Sequence, residues 1–138
     1  MIIRLSSTQT YLFVYGTLAQ PSSHPMHALL KANSVFIAPA YMLGRLYEIR
    51  GYPGVVESEQ QHEKVKGELY QLHRADWLLA KLDNYEECSA AFPQPHEYLR
   101  KQVEVFVSNT CSTQAWAYIY NHSTKHRKRI HSGDYFNR

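Results

Sequence analysis

The stretch YLFVYGTL, residues 11–18, decides the fold because an apolar strand ends there in a glycine turn. The residues before Gly16 are aromatic, β-branched or leucine, a composition that favours a β-strand. Gly16 can adopt backbone conformations closed to other residues, so a sharp turn is predicted at the strand end. Successive backbone N–H groups in such a turn can converge on a carboxylate or phosphate. The stretch therefore predicts a strand followed either by an ordinary turn or by an anion site.

Length and composition indicate one domain over residues 1–138, with 44% hydrophobic residues and eleven tyrosines. No apolar run approaches the roughly 18 residues of a membrane-spanning helix, and residues 1–10 lack the apolar region of a secretory signal. Cys88 and Cys111 each stand alone, which predicts neither a disulfide framework nor a thiolate metal cluster. No metal site is expected, and the histidines at 122, 126 and 131 are interpreted as solvated. We therefore expect a cytoplasmic protein without membrane contact.

The net charge of +3 is concentrated near the end of the sequence. A basic tail from about residue 121 carries a surplus of four positive charges, which leaves the remainder near −1. Such a segment is typical of a solvated, mobile end. Nucleic-acid binding through residues 125–129 is the alternative, and it would be sensitive to salt.

Turn signals and apolar patterns predict many strands and few helices. A short helix is expected over 26–31 and a longer one over 74–86, while GYPG at 51–54 is a strong turn signal. Gly67 indicates a bulge or a close backbone approach inside its strand. The predicted strands are 34–49, 55–56, 65–72, 97–107 and 113–120. Since helices and strands do not alternate regularly, we predict a curved sheet or small barrel with helices beside it.

The two late strands show alternating faces. In the first, the pattern places Leu99 and Val103 on one side and Tyr98 and Arg100 on the other. In the second, three aromatic residues alternate with smaller apolar ones. These residues are Trp116, Tyr118 and Tyr120 against Ala115, Ala117 and Ile119.

The helix 74–86 places one carboxylate on its apolar side. At about 100° per residue, Glu86 falls with Leu79 and Leu82, whereas Asp83 and Glu87 lie towards another side. Desolvating a carboxylate is costly, and burial raises its pKa towards the range that a general acid or base uses near neutrality. Glu86 is therefore a candidate catalytic residue.

Two structural interpretations of Glu86 remain open. The helix could end near Asn84, in which case the wheel does not apply. Glu86 could also form an ion pair with Arg45 or Arg100.

An ordered set of motifs resembles the γ-glutamylcyclotransferase-like family, also called AIG2-like, and its γ-glutamylamine cyclotransferase branch. The resemblance covers roughly residues 11–135. Its motifs are YGTL at 15–18, GRLY at 44–47, YPG at 52–54, VKGELY at 65–70, LDNYE at 82–86, YLR at 98–100, AWAY at 115–118 and SGDY at 132–135. The chain differs from the family pattern at Glu87, which often has a glycine counterpart, and in residues 19–25, which lack a frequent glycine.

The resemblance implies an α+β fold, a small mixed β-barrel flanked by short helices, and no metal or organic cofactor. It implies that the loop containing Tyr15, Gly16, Thr17 and Leu18 binds the α-carboxylate of a γ-glutamyl group. Glu86 matches the family's catalytic glutamate, in agreement with the helical wheel.

Four further residues are candidates for the pocket. Tyr52 and Tyr120 could line it, or simply pack inside the barrel. Arg45 and Arg100 could orient Glu86 or the substrate, or they could cap strand edges.

The leading hypothesis is a cofactor-free cyclotransferase that acts on a small γ-glutamyl amine or amide and releases 5-oxoproline and an amine. The rival is a non-catalytic module that binds a small acidic metabolite in the same pocket. A nucleic-acid-associated protein is the third hypothesis. A monomer or weak dimer is expected.

Overall fold

The structure is a computed structural model that describes residues 5–6, 8–16 and 25–138. In these ranges the chain forms seven strands, two α-helices and a short 3-10 helix, so the fold is α+β. In chain order they are β1 (Tyr11–Val14), α1 (Pro25–Ala32), β2 (Ser34–Glu48), β3 (Pro53–Glu57), β4 (Lys64–Leu72), α2 (Ala75–Tyr85), β5 (Tyr98–Ser108), β6 (Cys111–Tyr120), β7 (Lys128–Ile130) and the 3-10 helix Tyr135–Asn137. Neither described α-helix has the length and apolar character needed to cross a membrane.

Five strands close into a barrel in the order β2-β4-β1-β6-β5. The closing pair is β2 with β5, where Tyr41 lies opposite Phe106. The pairing of β1 with β6 is parallel, with Leu12 opposite Trp116, and the other pairings are antiparallel. The prediction of a small mixed barrel flanked by short helices is thus confirmed.

The second half of β2 carries two further strands. Leu46 lies opposite Val55 of β3 on one edge and opposite Ile130 of β7 on the other. Ile130 is 5% exposed and belongs to the barrel core. The basic segment was expected to be a solvated, mobile end, and for residues 128–130 this expectation is wrong. Backbone pairing with β2 and burial of Ile130 bind this part of the chain to the barrel.

Side chains alternate between two cores on opposite faces of the sheet. Phe13 and Val105 belong to the first core, inside the barrel, and each is at most 1% exposed. Leu12 belongs to the second core, together with Leu78 and Leu82 of α2. Burial of one leucine contributes about 1.5–3 kcal/mol, so this second core holds α2 against the barrel.

The predicted alternation is confirmed in β6 and partly wrong in β5. In β6, alanines 115 and 117 and Ile119 belong to the first core, and Tyr118 and Tyr120 to the second. At the start of β5, Leu99 is 39% exposed while Tyr98 is 5% exposed, the reverse of the prediction. Tyr98 is buried because its ring packs in the second core and its hydroxyl donates to the Pro53 carbonyl oxygen at 2.6 Å.

Gly67 allows β1 and β4 to approach closely. A Cβ placed there would lie 2.8 Å from the Phe13 ring and far inside van der Waals contact with the Val14 carbonyl oxygen. The predicted close approach is confirmed. The alternative, a bulge at Gly67, is not observed: the irregularity in the neighbouring β2–β4 pair lies in β2, between Phe36 and Ala38.

We predict that Gly67→Ala destabilises the protein by about 3 kcal/mol, since the added methyl group overpacks against backbone that cannot move without disrupting the β1–β4 pairing. Urea denaturation followed by tryptophan fluorescence measures the change. The control is Gly51→Asn, because nothing lies within 4 Å of a Cβ at Gly51 and asparagine tolerates its φ of 80°. Equal losses in both variants would contradict the steric explanation.

Candidate active site

Helix α2 positions Glu86 at the wall of a cavity beside the barrel. The helix ends at Tyr85, and the Glu86 N–H still donates to the Leu82 carbonyl oxygen at 2.8 Å. Leu78, Leu79 and Leu82 are the buried residues that fix the orientation of α2. Because the hydrogen bonding continues to Glu86, its side chain follows the helical wheel.

The cavity has a volume of about 280 Å³ and is called the Glu86 cavity below. It brings together Glu86 with Tyr15, Gly16 and Tyr52, as the sequence predicted. The other lining residues are Leu12, Phe13, Val14, Pro53, Tyr85, Glu87, Glu97, Tyr98 and Tyr118.

The environment of Glu86 favours its protonated form. Burial raises the pKa of Glu86 from about 4.5 to about 7, and the negative charges of Glu97 and Glu87 add to the rise. The hydroxyls of Tyr15 and Tyr52 line the same cavity but donate elsewhere, to the Tyr118 carbonyl oxygen and to Glu97 Oε2, the latter at 2.8 Å. These two hydroxyls therefore do not stabilise the ionised carboxylate.

Glu87 adopts an unusual backbone conformation for a residue with a side chain. Its φ is 58°, in the left-handed region that favours glycine, at the position that follows the helix cap. A glycine would adopt this conformation without strain. In this chain the conformation directs the Glu87 backbone out of the helix immediately after Glu86.

Gly16 is required for space rather than for a left-handed conformation. A Cβ at Gly16 would lie 2.7 Å from Cγ of Pro53, whereas its φ is not in the positive region. Gly16 was predicted correctly at the turn, but the predicted reason, a conformation closed to other residues, is wrong. The absence of a side chain lets the Pro53 ring contact the turn and keeps the Gly16 backbone at the cavity wall.

Tyr15 connects the turn to the neighbouring strand β6. It is 6% exposed, its hydroxyl donates to the Tyr118 carbonyl oxygen, and burial raises the pKa of this hydroxyl above its usual value. Its side chain therefore serves to hold the turn against the barrel. Thr17 and Leu18, the other two residues predicted to bind substrate, lie outside the described residues.

Asp83 is a functional candidate that the sequence analysis missed. The helical wheel placed it away from the apolar face, yet its side chain is 18% exposed and accepts hydrogen bonds from two strands. Arg100 donates to both of its carboxylate oxygens, at 2.7 and 3.1 Å, and the Tyr118 hydroxyl donates at 2.7 Å. The Arg100 guanidinium also lies 4.3 Å from the centre of the Trp116 ring. Together these contacts fasten the end of α2, three residues before Glu86, to β5 and β6.

The two arginines predicted near Glu86 are not at the cavity wall. Arg100 is bound to Asp83, as described. The Arg45 Nε lies 3.0 Å from Glu63 Oε2, and the same oxygen is 2.8 Å from Nη2 of Arg129. The alternative in which either arginine forms an ion pair with Glu86 is therefore wrong.

Tyr120 also lies outside the set of lining residues. Its ring packs edge-on against Tyr98, with 5.6 Å between the ring centres, and is 5% exposed. This is the packing role that the sequence analysis kept as the alternative. Glu97 lines the cavity but was not predicted as a site residue: the predicted strand 97–107 begins with it, whereas β5 begins at Tyr98.

The described side chains offer no arrangement suited to metal ligation. Over residues 5–6, 8–16 and 25–138, no group of three or more histidine, cysteine, aspartate or glutamate side chains is arranged to hold a metal ion. His122 and His126 stand four residues apart, but residues 121–127 form no helix that would place both rings on one face.

Comparison with known proteins identifies the family. A family model described as gamma-glutamyl cyclotransferase, AIG2-like, matches residues 12–137. A Vibrio cholerae protein named provisionally as a gamma-glutamylcyclotransferase is 34% identical over 134 residues, which covers 94% of this chain and 98% of that protein. The gamma-glutamylcyclotransferase family protein YtfP of Escherichia coli is 30% identical over 134 residues, with coverage of 92% and 96%. The chain therefore belongs to the AIG2-like gamma-glutamyl cyclotransferase family.

Solved structures support the same fold. The solution structure of Escherichia coli ytfP superposes with a TM-score of 0.64 at 26% identity, covering 93% of this chain and 97% of that one. An AIG2-like protein from Mus musculus also gives a TM-score of 0.64, at 22% identity, covering 85% and 80%.

We predict that Glu86→Gln makes the protein more stable at neutral and alkaline pH. The folded-state pKa of about 7 lies above the ordinary value of 4.5, so the stability linked to this carboxyl is complete below pH 4.5 and lost as the pH rises through 7. At about pH 8 the variant should gain up to about 3 kcal/mol in the free energy of unfolding, and at about pH 4 almost nothing. Thermal melting across this range measures the difference. Glu59→Gln, which changes an exposed carboxylate, is the control, and a gain independent of pH would contradict the burial of Glu86.

We predict that Asp83→Asn lowers the free energy of unfolding by about 2 kcal/mol, because it leaves the half-buried Arg100 guanidinium without its charged partner. Urea denaturation measures the loss. The matched control is Glu57→Gln, which removes the exposed ion pair with Lys101, 2.6 Å long, and should cost less than about 1 kcal/mol. If the two variants lost equal stability, Asp83 would be an ordinary surface residue.

Proposed function

We propose that this protein is a cofactor-free γ-glutamyl cyclotransferase that converts a small γ-glutamyl amine or amide into 5-oxoproline and a free amine. The observation that carries the proposal is the position of Glu86. Its carboxyl group, with a pKa raised to about 7, shares a cavity with the Tyr15–Gly16 turn. Membership of the family supports the same reaction class.

The reaction needs few parts because the nucleophile and the electrophile belong to one molecule. The α-amine of the γ-glutamyl group attacks its own γ-carbonyl carbon, a C–N bond forms in a five-membered ring, and the bond to the leaving amine breaks. The enzyme chiefly holds the substrate in the folded conformation that brings these atoms together. Neither an oxidant nor a reductant takes part.

Glu86 supplies the proton transfers in this proposal. Its carboxylate accepts a proton from the α-ammonium group, which frees the nitrogen lone pair for attack, and the resulting carboxyl donates that proton to the departing nitrogen. The regenerated carboxylate accepts the second proton from the ring nitrogen and releases it to solvent, which leaves the neutral lactam N–H. A group that exchanges protons in both directions works best when its pKa is near the working pH. The raised pKa of Glu86, caused by burial and by the charges of Glu97 and Glu87, meets this requirement.

Backbone N–H groups of the turn are proposed to bind the substrate α-carboxylate. Gly16 lies at the cavity wall, and we propose that its N–H faces the bound carboxylate there. N–H groups held in this way can also stabilise the negative charge that develops on the carbonyl oxygen. Thr17 and Leu18 are proposed to extend this binding segment.

Incubation with γ-glutamyl amines and γ-glutamyl dipeptides, with chromatographic measurement of 5-oxoproline, tests the proposal. We expect turnover of at least one class, a loss of about 100-fold or more in Glu86→Gln, and a rate that rises with pH through about 7 as Glu86 ionises. The matched control is Asp76→Asn, an exposed carboxylate on the same helix, which should retain activity.

Two outcomes would contradict the proposal. If Glu86→Gln turned over as fast as the parent, Glu86 would have no acid–base role. If the parent formed no product while a γ-glutamyl compound raised its melting temperature, the protein would be the non-catalytic binding module.

A further inference from the structure

A second cavity, of about 310 Å³, lies against β7 and the end of the described chain. It shares no lining residue with the Glu86 cavity and is called the β7 cavity. Its charged side chains are Lys128, Arg129 and Arg138 against Glu48. Where the Glu86 cavity is lined by carboxylates, this one is lined mainly by cations. Its volume falls at the lower end of the range for small-molecule pockets.

The single carboxylate in the β7 cavity is already occupied by protein groups. Glu48 Oε2 accepts from the Gly51 N–H at 2.6 Å, and its Oε1 accepts from the Tyr135 hydroxyl at 3.1 Å. Nε of Arg138 lies 3.7 Å from the same Oε1. Arg138 is further fixed over the Tyr135 ring, 4.0 Å from its centre. Glu48 and Arg138 therefore neutralise each other within the protein.

The remaining cations of the cavity are only partly neutralised. Arg129 shares the carboxylate of Glu63 with Arg45, so that two guanidinium groups surround one negative charge that is only 6% exposed. Lys128 is exposed and forms no ion pair with a described residue. Arg45, Arg129 and Lys128 against Glu63 therefore leave a surplus of two positive charges in and directly beside the cavity.

Arg129 also has an unused donor. Its Nε atom is buried and has no hydrogen-bond partner, although Nη2 of the same guanidinium binds Glu63 at 2.8 Å. A buried donor without an acceptor is unfavourable, and the planar guanidinium is suited to bind an oxyanion through a second nitrogen.

We propose that the β7 cavity is a binding site for a small phosphate monoester. A dianion balances the surplus of two charges, whereas a monocarboxylate leaves one charge unbalanced. Lys128 supplies an exposed point charge at the cavity, and Arg129, which also lines it, has a buried Nε–H that a bound oxyanion would satisfy after a small movement of the side chain. The site is independent of γ-glutamyl chemistry, so a phosphate ligand would act as an effector or as a second substrate group.

Titration of the full chain with ribose 5-phosphate and inorganic phosphate, at constant ionic strength, tests the site. Isothermal calorimetry measures the affinity, and ¹H–¹⁵N NMR shows where the ligand binds. We expect one site per chain, with shifts for the amides of residues 128–132 and none for residues 12–16. Acetate at the same concentration should bind at least about tenfold more weakly, since it carries half the charge.

Three variants distinguish a specific phosphate site from non-specific electrostatic attraction to the basic segment. Lys128→Glu should weaken phosphate binding about tenfold or more, and Arg129→Lys should weaken it several-fold although the charge is kept, because the Nε–H donor is lost. Lys125→Glu makes the same charge change as Lys128→Glu on the same segment, outside the cavity, and should have less than about a twofold effect.

The proposal is overturned by any of four results: no saturable phosphate binding, equal affinity for acetate, equal losses in Lys125→Glu and Lys128→Glu, or NMR shifts confined to the Glu86 cavity. A single-stranded oligonucleotide whose affinity grows with its length would instead identify residues 125–129 as a nucleic-acid surface. Because the measurements follow binding alone, they are independent of whether γ-glutamyl compounds are turned over.

Discussion

The attachment of α2 to the barrel through Asp83 is the constraint on which the candidate site depends. Helix α2 ends one residue before Glu86, and a helix end held only by apolar contacts could rotate or fray. Asp83 prevents this because Arg100 and Tyr118 bind it from two adjacent strands, at 2.7 Å each. Tyr118 then accepts from the Tyr15 hydroxyl through its carbonyl oxygen, so the helix, the strands and the turn at Gly16 belong to one hydrogen-bonded chain. The distance between the acid and the turn is therefore set by the barrel.

The raised pKa of Glu86 follows from the fact that the neighbouring hydrogen-bond donors bind other acceptors. The hydroxyls of Tyr52 and Tyr98, which could have stabilised a carboxylate in the cavity, donate instead to Glu97 and to the Pro53 carbonyl oxygen. The strong cation of this region, Arg100, is bound to Asp83. Glu86 is left near other negative charge in a partly buried position, which is the arrangement that raises the pKa of a carboxyl group. The raised pKa therefore depends on the engagement of these potential partners elsewhere as much as on the burial of Glu86 itself.

Local patterns in the sequence predicted the parts of the structure that depend on neighbouring residues. The strand ending at Gly16, the helix carrying Glu86 and the alternation in β6 each follow a periodicity that is visible over a few residues. The position of Glu86 on the buried side of the helix was also predicted correctly, because the helical hydrogen bonds extend to Glu86. Glu87 was predicted to point away, and this was wrong, since Glu87 lines the same cavity. The irregular order of helices and strands predicted a curved sheet or a small barrel, and the family motifs then selected the mixed barrel.

The errors share a physical cause, which is pairing between residues far apart in sequence. The Asp83–Arg100 pair spans a loop, and a helical wheel sees only that Asp83 is polar. Likewise the wheel could not show that Arg45 would bind Glu63, or that β7 would pair with β2. The glycine at position 16 was predicted from the backbone conformations open to glycine. Its actual requirement is steric, because the Pro53 ring occupies the space that a side chain would need.

The parallel pairing of β1 with β6 has a consequence for synthesis of the chain. Leu12 of β1 can pair with Trp116 of β6 only after most of the polypeptide has been synthesised. Until β6 leaves the ribosome, one edge of β1 has no partner strand, and the apolar side chains of the unfinished barrel are exposed. Closure over so long a separation in sequence is slow compared with helix formation. An unpaired strand edge of this kind is prone to pair with other chains, so the order of synthesis makes β1 the edge that most needs protection before β6 is available.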